Sequence, residues 1–383
     1  MGYTYVGYPL LLRVLARGKT LDTLQFGPGD AWPRVSVLMA VHNEARVIRQ
    51  KMDSLLGQDY PPELLAYYIG SDCSTDETNA IVAGYAATDP RIQFRAFTQR
   101  QGKPGIINQL AALAAARYPA GQDHIFIITD ASVMLQPEVV SRLAAHFKTP
   151  DMAIVDALIV HTGMQSQGIS RSEDAYISGE GRIKYREGVV WKRMIGPFGG
   201  CYALRSDYFC PVPATFLVDD FYITMRAFER GGLAISEPAA RCLEPVGHEI
   251  SEEFRRKARI SAGNFQNMYT FRKLWWPPRG LPNFPFFSHK ILRWLGPFWL
   301  LGGGLSGAYL AAFNLFYACA FGFMAAVLLL PPLADAGLRK FGIHCLPLRH
   351  IRYFLLMNLA LFVGFIRYQK GIRTNVWQPP KRQ

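Results

Sequence analysis

Five short apolar runs alternate with segments of helical length in the first part of the chain. The runs occupy residues 35–41, 65–69, 92–97, 124–128 and 152–160. Apolar runs of this kind, separated by helices of about 10 to 15 residues, are typical of buried strands in strand–helix–strand units. The alternation predicts an α/β fold in which a largely parallel sheet is covered by helices on both faces.

Polar side chains follow three of these runs, at the point where each strand would end. Asn43 and Glu44 follow the first run, Asp72 the second and Asp130 the fourth. A single Asp after a strand is usually a turn residue. In open parallel sheets, however, ligands bind outside the carboxyl ends of the strands. Acids that recur at the same edge therefore favour a binding site there.

Two adjacent carboxylates, Asp219 and Asp220, stand between an apolar run and a segment, 222–230, that has a helical pattern. The simplest interpretation of this stretch alone is that one acid caps the helix N-terminus. Adjacent acids also repel each other, and the flanking aromatic residues would partly desolvate them. Such a pair is tolerated beside a cation, a helix N-terminus or a reacting proton, so a functional site is the alternative.

Two further stretches leave their roles open. Gly199 and Gly200 belong to a glycine-rich approach to a short strand, which could permit close backbone approach to a ligand or merely form a turn. A predicted helix over 252–269 carries Arg255 and Arg259 on one face, with Arg256 close beside them. Taken alone, that helix is typical of a solvated surface.

The chain is unusually apolar for a soluble protein, and it is also strongly basic. Half of its residues are hydrophobic, 19% are charged, and the net charge is +13. A positive balance suits nucleic acid, anionic lipid or a phosphate-bearing substrate. Because no Lys/Arg run of the nucleic-acid-binding type occurs, we expect a membrane surface as partner and no nucleic acid. The six cysteines are scattered without a zinc spacing, which indicates free thiols.

The last hundred residues contain long runs that are nearly free of charge. Residues 284–299 are aromatic with interspersed basic residues and suit a helix in the membrane interface. The charge-free residues 300–330 could form one tilted span or a cramped hairpin. A polar loop over 335–352 and a short span over 353–366 are expected to follow. Two spans are favoured over three, and a soluble protein with an apolar helical bundle is the weaker alternative.

This pattern divides the chain into three regions. Residues 1–32 form an N-terminal membrane-proximal segment and linker, 33–274 a catalytic domain, and 275–383 an interfacial helix and a transmembrane region. The N-terminal residues 3–13 resemble an interfacial stub or the end of a membrane helix. The basic residues of the C-terminal tail place it inside the cell. We therefore expect a bacterial-type inner membrane with the catalytic domain in the cytoplasm.

Taken in order along the chain, these motifs resemble the family-2 inverting glycosyltransferases with a GT-A fold, over about residues 33 to 271. The resemblance is strongest to the membrane-anchored branch related to cellulose, hyaluronan and poly-N-acetylglucosamine synthases. It implies a Rossmann-like catalytic domain that takes a sugar from a nucleoside diphosphate sugar, with UDP as the expected nucleotide. The expected acceptor is lipid-linked or another glycan presented at a membrane.

The resemblance assigns roles to the residues at the strand ends. Val41, Asn43 and Glu44 look like the end of the family's opening strand and its nucleotide-binding loop. Asp72 lies in a stretch similar to the family's Asp-Asp-Gly-Ser-Thr-Asp motif and would contact the uracil or ribose. The Gly-Lys pair that ends at Lys103 places this lysine near the donor.

The remaining roles concern the reaction itself. Asp130 stands where the family carries its Asp-x-Asp metal motif, and Mg²⁺ or Mn²⁺ suits such an oxygen-rich site. Asp220 occupies the position of the general base for a single in-line displacement that inverts the anomeric carbon. Asp219, Gly199 and Gly200 would line the pocket for donor and acceptor.

Two motifs depart from the family's pattern, at three positions. Ser132 stands where a second metal-binding Asp is common, and Arg256 and Ile260 replace the Gln and Trp of the C-terminal motif. Arg256 and Arg259 are expected to pair with the leaving phosphates. In polymerising relatives that Trp stacks on the acceptor sugar. Its replacement favours a one-step transfer, and a processive polysaccharide synthase of the same family is the alternative.

Two other classes of function explain less of the sequence. A nucleotidylyltransferase would usually open with a glycine-rich phosphate loop after its first strand, and His42-Asn43-Glu44 is not such a loop. A non-catalytic membrane scaffold would leave the ordered polar motifs unexplained. A glycosyltransferase is therefore the favoured interpretation.

Overall fold

A computed structural model describes residues 2–118, 123–162, 170–245, 250–339, 346–372 and 374–375. Eight strands form a single sheet. They are β1 (Arg34–Val41), β2 (Leu65–Asp72), β3 (Ile92–Phe97), β4 (His124–Thr129), β5 (Met134–Leu135), β6 (Met152–Thr162), β7 (Cys201–Arg205) and β8 (Leu233–Pro245). Every strand run expected from the sequence lies within one of them.

The α-helices lie on both faces of this sheet and extend beyond it at the C-terminus. They are α1 (Tyr8–Leu15), α2 (Ile48–Leu56), α3 (Thr78–Thr88), α4 (Gly102–Ala116), α5 (Val139–Ala145), α6 (Ser170–Trp191), α7 (Asp219–Glu229), α8 (Ile250–Thr270), α9 (Asn283–Pro285), α10 (Leu292–Trp294), α11 (Gly296–Ala311), α12 (Leu315–Arg339) and α13 (Leu346–Gln369). A π-helical segment, Phe286–Ile291, joins α9 to α10.

The sheet has the order β3-β2-β1-β4-β7-β6-β8-β5. Strands β1 to β4 run parallel to one another, and β6 runs parallel to β8. Strand β7 is antiparallel to both of its neighbours, and the short β5 is antiparallel to β8. The expected α/β class with a mostly parallel sheet is therefore confirmed.

Both faces of the sheet are apolar because helices cover both of them. Successive side chains of β1 alternate between the two layers, as the pleat requires. Val37 and Met39 belong to a core with α2, α3 and α5, whereas Leu38 belongs to a second core with α4 and α7. The one polar residue in this run, Ser36, is buried and its hydroxyl lies 2.9 Å from His124 Nε2.

The parallel strands bring the expected polar residues to one edge. Val41 is paired with Ser71 at the ends of β1 and β2, so that Asp72 lies beside His42. Strand β4 lies on the other side of β1 and ends immediately before Asp130. The crossover helices return each strand in the same direction, and this is why residues so far apart in sequence share an edge.

Three boundaries differ from expectation. Helix α7 begins at Asp219 instead of residue 222, so both acids lie in its first turn. Strand β8 extends from residue 233 to residue 245, because a register shift in its pairing with β6 accommodates Pro238. The two-residue β5 was not expected, since so short a run has no readable periodicity.

The charge-free residues 300–330 are not one span. Helix α11 ends at Ala311 and α12 begins at Leu315, so two helices divide this stretch. Among the described residues, two helices are long and apolar enough to cross a membrane, at Leu315–Asp335 and Leu348–Gln369. Two candidates agree with the expected number of spans, but their positions differ.

The polar loop expected over 335–352 is also wrong in its bounds. Residues 335–339 belong to α12 and residues 346–352 to α13, while part of the stretch between them lies outside the described residues. Asp335 is buried and pairs with Arg352 at 2.7 Å. This ion pair joins α12 to α13, and it allows both helices to continue past charged residues that the sequence would place in a loop.

Helix α13 packs closely against α8, which lies in the region 33–274. The Ser261 hydroxyl of α8 donates to the Leu361 carbonyl at 3.0 Å. A Cβ atom added to Gly364 would lie 2.4 Å from the Ser261 side chain and 2.8 Å from the Ala258 carbonyl oxygen. Only glycine permits so close a crossing of the two helices. This crossing attaches the last apolar helix, α13, directly to α8.

We expect Gly364→Ala to lower the unfolding temperature of the detergent-solubilised protein. Overpacking of this kind costs about 1–3 kcal/mol, which exceeds the helix propensity that alanine adds. Gly322→Ala in α12 is the matched control, because nothing lies within 4 Å of its added Cβ. A Gly364→Ala variant as stable as that control would contradict the close crossing.

Candidate active site

A lysine ammonium occupies the centre of the polar edge. Lys103 follows Gly102, which begins α4 with a φ of 74°. Its Nζ lies 2.7 Å from an Asp130 carboxylate oxygen, 3.2 Å from the Gly199 carbonyl oxygen and 3.8 Å from Asp219. Burial would lower the pKa of Lys103, but the charges of Asp130 and Asp219 outweigh it and raise the pKa. The lysine is therefore a fixed cation.

The two acids of α7 differ in their surroundings. Asp219 is buried and its Oδ2 has no hydrogen-bond partner. Asp220 accepts a 2.8 Å hydrogen bond from the Phe221 N–H. Burial, followed by the charge of Asp219, raises the pKa of Asp220 to about 7. Neither side chain caps the helix, whose N-cap residue is Val218, so the capping interpretation is wrong.

The glycine loop, residues 196–200, lies against these acids. A Cβ on Gly199 would lie 2.8 Å from Asp220 Oδ2, and a Cβ on Gly200 would lie 3.0 Å from Val133. The Gly200 carbonyl accepts hydrogen bonds from the Asp130 N–H and the Thr129 hydroxyl, both at 3.0 Å. The two glycines thus permit close approach to the site residues, in addition to forming a turn.

The strand-end residues of β1 and β2 form a second group. Asp72 is buried, and its carboxylate accepts from the Gln101 N–H at 2.7 Å, the Gly102 N–H at 3.0 Å and Arg100 Nε at 3.1 Å. His42 Nδ1 lies 2.8 Å from the Asp72 carbonyl oxygen, and its Nε2 lies 2.6 Å from Arg100. Asp72 therefore holds the loop that leads to Lys103.

The other expected nucleotide-binding residues shape the same corner. Val41 is buried at the end of β1. Asn43 has a φ of 53° and accepts a 2.8 Å hydrogen bond from the Thr75 N–H. The Glu44 N–H donates to the Thr78 hydroxyl at 2.9 Å. These contacts hold the loop after β1 against the loop after β2.

Helix α8 supports the loop that carries the acid pair. Arg259 donates to the Leu217 carbonyl at 3.3 Å, and burial lowers its pKa. A Cβ on Gly263 would lie 2.5 Å from Val218, and Gln266 accepts a 3.2 Å hydrogen bond from the Leu217 N–H. The structure thus brings Arg259 to the acid pair.

Arg256 has different surroundings from Arg259. It is exposed and pairs with Glu253 of the same helix at 2.8 Å. An acid and a base three residues apart on a helix are natural neighbours. In the described structure this arginine is engaged on the outer face of α8, whereas Arg259 is the one that reaches the acid-bearing loop.

Lys51 is a site residue that the sequence reading missed. It is fully buried in α2, and its Nζ donates to the Thr129 hydroxyl at 2.8 Å and to the Val133 carbonyl. These bonds hold both ends of the turn that contains Asp130. Helical periodicity offered a signal, because Lys51 shares its face with the apolar Ile48 and Leu55.

The charges at this edge fit a divalent cation together with a diphosphate. Three carboxylates, those of Asp130, Asp219 and Asp220, face the cations Lys103 and Arg259, which leaves an excess of negative charge. Asp219 also has an oxygen without a hydrogen bond. Within the described residues no cluster of three His, Cys, Asp or Glu side chains could hold a metal alone. Mg²⁺ and Mn²⁺ commonly take few protein ligands and complete their shell with substrate phosphates and water.

Comparison with known proteins shows what parts of this chain resemble. Residues 36–209 match the model of glycosyl transferase family 2. A relative described as an N-acetylglucosaminyltransferase, from Mesorhizobium japonicum, is 30% identical over 131 residues, which cover 34% of this chain and 29% of the relative. A beta-monoglucosyldiacylglycerol synthase from Synechocystis sp. is 25% identical over 191 residues, which cover 45% of this chain and 38% of that protein. The chain thus spans well under half of each curated relative.

A solved structure resembles almost the whole chain. It is the mannosyltransferase PcManGT from Pyrobaculum calidifontis in complex with GDP-Man and Mn²⁺. The TM-score is 0.69, the identity is 21%, and the likeness covers 96% of both chains. At this identity the likeness concerns the fold, and the GT-A-like architecture expected from the sequence is confirmed.

We expect folding stability to depend on pH through Lys51. Burial lowers the pKa of Lys51 from 10.5 to about 8, so between these values the unfolded chain binds more protons than the folded one. Stability therefore rises with pH across this window, by about 3 kcal/mol for this residue. Unfolding in urea at several pH values should show the rise in the natural protein and not in Lys51→Met. Lys148→Met, at an exposed site, should keep it, and an equal rise in Lys51→Met would refute the assignment.

Proposed function

We propose that this chain, whose residues 36–209 match glycosyl transferase family 2, moves one sugar from a nucleoside diphosphate sugar to a lipid-linked or membrane-presented acceptor, with inversion. The observation that carries this proposal is the position of Lys103. Its ammonium contacts Asp130 at 2.7 Å and the Gly199 carbonyl at 3.2 Å, with Asp219 at 3.8 Å. One fixed cation among acids and a backbone carbonyl suits the binding of a phosphorylated donor.

Asp220 is the proposed general base. A base must be unprotonated near neutral pH and still accept a proton readily, which a pKa near 7 provides. Burial and the charge of Asp219 supply that value of about 7 for Asp220. Asp220 also lies against Gly199. Because glycine has no side chain, the Oδ2 atom of Asp220 is unobstructed on that side. The carboxylate would take the acceptor hydroxyl proton as the oxygen attacks the anomeric carbon.

Asp130 is the proposed metal-binding residue, with Mg²⁺ or Mn²⁺ as the cation. Its carboxylate is 41% exposed and can reach a ligand, while Lys51 fixes the turn beneath it. Bound there, the cation would neutralise charge on the diphosphate. Ser132 is buried, and a part in metal binding is not proposed for it. Arg259 would add positive charge near the same phosphates.

The nucleotide is proposed to lie over the loops after β1 and β2. Val41, Asn43, Glu44 and Asp72 line that corner, and Asp72 would act mainly by fixing the loop that carries Lys103. UDP is the proposed nucleotide. GDP is the second candidate, because the structurally similar mannosyltransferase was solved with GDP-Man.

The membrane is proposed as the place of the acceptor. Helices α12 and α13 have the length and composition of spans, and α13 packs on α8, which supports the acid-bearing loop. We propose a bacterial-type inner membrane with the catalytic domain in the cytoplasm, divided as residues 1–32, 33–274 and 275–383. Ile260 in place of an acceptor-stacking Trp favours single transfer over a processive synthase.

We expect Asp220→Asn to reduce transfer by roughly 10²- to 10⁴-fold, the usual contribution of a general base. Asparagine keeps the oxygen that accepts the Phe221 N–H, so the fold and the binding of donor and metal should persist. Release of nucleoside diphosphate from UDP-sugars and GDP-sugars, with membrane lipid extract as acceptor, measures the rate. The exposed Asp207→Asn is the matched control.

If Asp220→Asn transferred sugar at the full rate, Asp220 would not be the general base. The mass of the product distinguishes the two modes of synthesis. A single sugar increment supports one-step transfer, whereas a ladder of products supports the processive alternative. No nucleotide release with any donor from the natural protein would refute the proposed activity.

A further inference from the structure

A buried ionic cluster contacts the residue that precedes the glycine loop. It joins α6, the N-terminal segment and the segment 286–294, and it contains Glu180, Glu187, His289 and Arg293. His289 lies between two carboxylates, with Nδ1 2.8 Å from Glu187 and Nε2 2.8 Å from Glu180. Arg293 pairs with Glu180 at 2.8 Å. Burying such charges is costly unless they are paired, as these are.

Glu187 is the member of this cluster that touches the glycine loop. Its Oε2 accepts a 3.0 Å hydrogen bond from the Ile195 N–H, directly before Gly196. Its Oε1 accepts from the Tyr8 hydroxyl at 2.7 Å and from His289 Nδ1 at 2.8 Å. Both oxygens of this fully buried carboxylate therefore accept hydrogen bonds, and the bond to Oε2 fixes the position of Ile195 at the start of the loop.

The far part of the loop is held in a similar way. The Phe198 N–H donates to Asp156 at 2.8 Å, and Lys184 of α6 pairs with the same carboxylate. Two buried acids therefore fix the loop at Ile195 and at Phe198. Beyond them, the Gly199 carbonyl contacts Lys103. A shift of the loop would thus displace the central lysine and alter the space beside Asp220.

The N-terminal helix is part of this support. Tyr8 and Leu12 of α1 are fully buried and pack with Ile183 of α6. The opposite face of the segment leaves Val6 and Val14 exposed, at 58% and 70%. One face of this segment therefore packs against the rest of the protein, whereas the other face is apolar and exposed. Its buried face delivers a single polar group, the Tyr8 hydroxyl, to Glu187.

We propose that Glu187 is a positioning residue, through which the N-terminal helix and the 286–294 segment hold the glycine loop in its catalytic arrangement. Residues 1–32 would then belong to the catalytic unit instead of being only a membrane-proximal segment. Glu187 touches neither donor nor acceptor in this account, and it acts through the Ile195 N–H. The inference on rate rests on the proposed transferase activity, but the state of the loop can be measured without it.

The test compares Tyr8→Phe with Tyr3→Phe, alone and combined with Glu187→Gln. Each tyrosine variant removes one hydroxyl from the N-terminal segment. The Tyr8 hydroxyl bonds to Glu187, whereas the Tyr3 hydroxyl lies 3.0 Å from Ser288 and does not touch it. Tyr3→Phe is therefore the matched control. Deuterium exchange of peptides that cover residues 195–200 reports on the loop, and kcat and KM for the donor report on the reaction.

We expect Tyr8→Phe to speed exchange in the loop peptides and to lower kcat about fivefold, as the loss of one hydrogen bond would. KM for the donor should change less than about twofold. Tyr3→Phe should match the natural protein in both readouts. In the Glu187→Gln background, Tyr8→Phe should have no additional effect, because its hydroxyl acts through that carboxylate.

Three results would overturn the inference. One is equal loop exchange in Tyr8→Phe and Tyr3→Phe, and another is an unchanged kcat in Tyr8→Phe. The third is a loss in the double variant that equals the product of the two single losses. If Glu187→Gln fails to fold, the Tyr8 and Tyr3 comparison remains decisive. If the natural protein transfers no sugar, the proposed function fails, while the exchange measurement still tests the position of the loop.

Discussion

The arrangement of the site depends on one ammonium group. Lys103 is the point where three separate parts of the chain meet: the turn after β4 through Asp130, the glycine loop through the Gly199 carbonyl, and α7 through Asp219. Without that cation, three carboxylates would repel one another at the sheet edge. With it, the acids lie close together while an excess of negative charge persists, which fits a divalent metal and a diphosphate.

Two of the three contacts of Lys103 are fixed by buried polar groups beneath them. Lys51 holds the turn that carries Asp130, and Glu187 with Asp156 holds the glycine loop. Asp72 holds the loop from which Lys103 itself projects. Buried polar groups of this kind are costly when unpaired, and each of these is paired with a backbone or side-chain group of the site. These pairings hold the polar side chains of this edge in their positions.

The sequence predicts the sheet and the polar edge formed by its strand ends, because both follow from local patterns. Strand periodicity and the acid after each strand are properties of short stretches, so Asp72 and Asp130 could be placed without a structure. The pair Asp219–Asp220 was ambiguous alone, and only its order relative to the other motifs indicated a site. The ion pair of Arg256 could have been predicted from the sequence, because Glu253 stands three residues before it.

The contacts that support the site could not be predicted from the sequence, because they join residues that are far apart along the chain. Tyr8 and Glu187 are 179 positions apart, and nothing in either local pattern indicates the other. The break between α11 and α12 had one signal, Asn314, whose side chain accepts a 2.8 Å hydrogen bond from the Phe316 N–H at the start of α12. Helix α8 adds a link of this kind, because it contacts α13 through Ser261 and the acid-bearing loop through Gly263. The proposed membrane-spanning part and the proposed catalytic part therefore share one helix.

The central claim is that this edge binds a nucleoside diphosphate together with a divalent cation. Its most direct test is a calorimetric titration of the purified protein with UDP and with GDP, first with Mn²⁺ and then after its removal by a chelator. The account predicts that one of the two nucleotides binds with Mn²⁺ and loses at least about tenfold in affinity without it, and that Asp130→Asn causes a similar loss. Binding that is indifferent to both the metal and Asp130, or no binding of either nucleotide, would contradict the account.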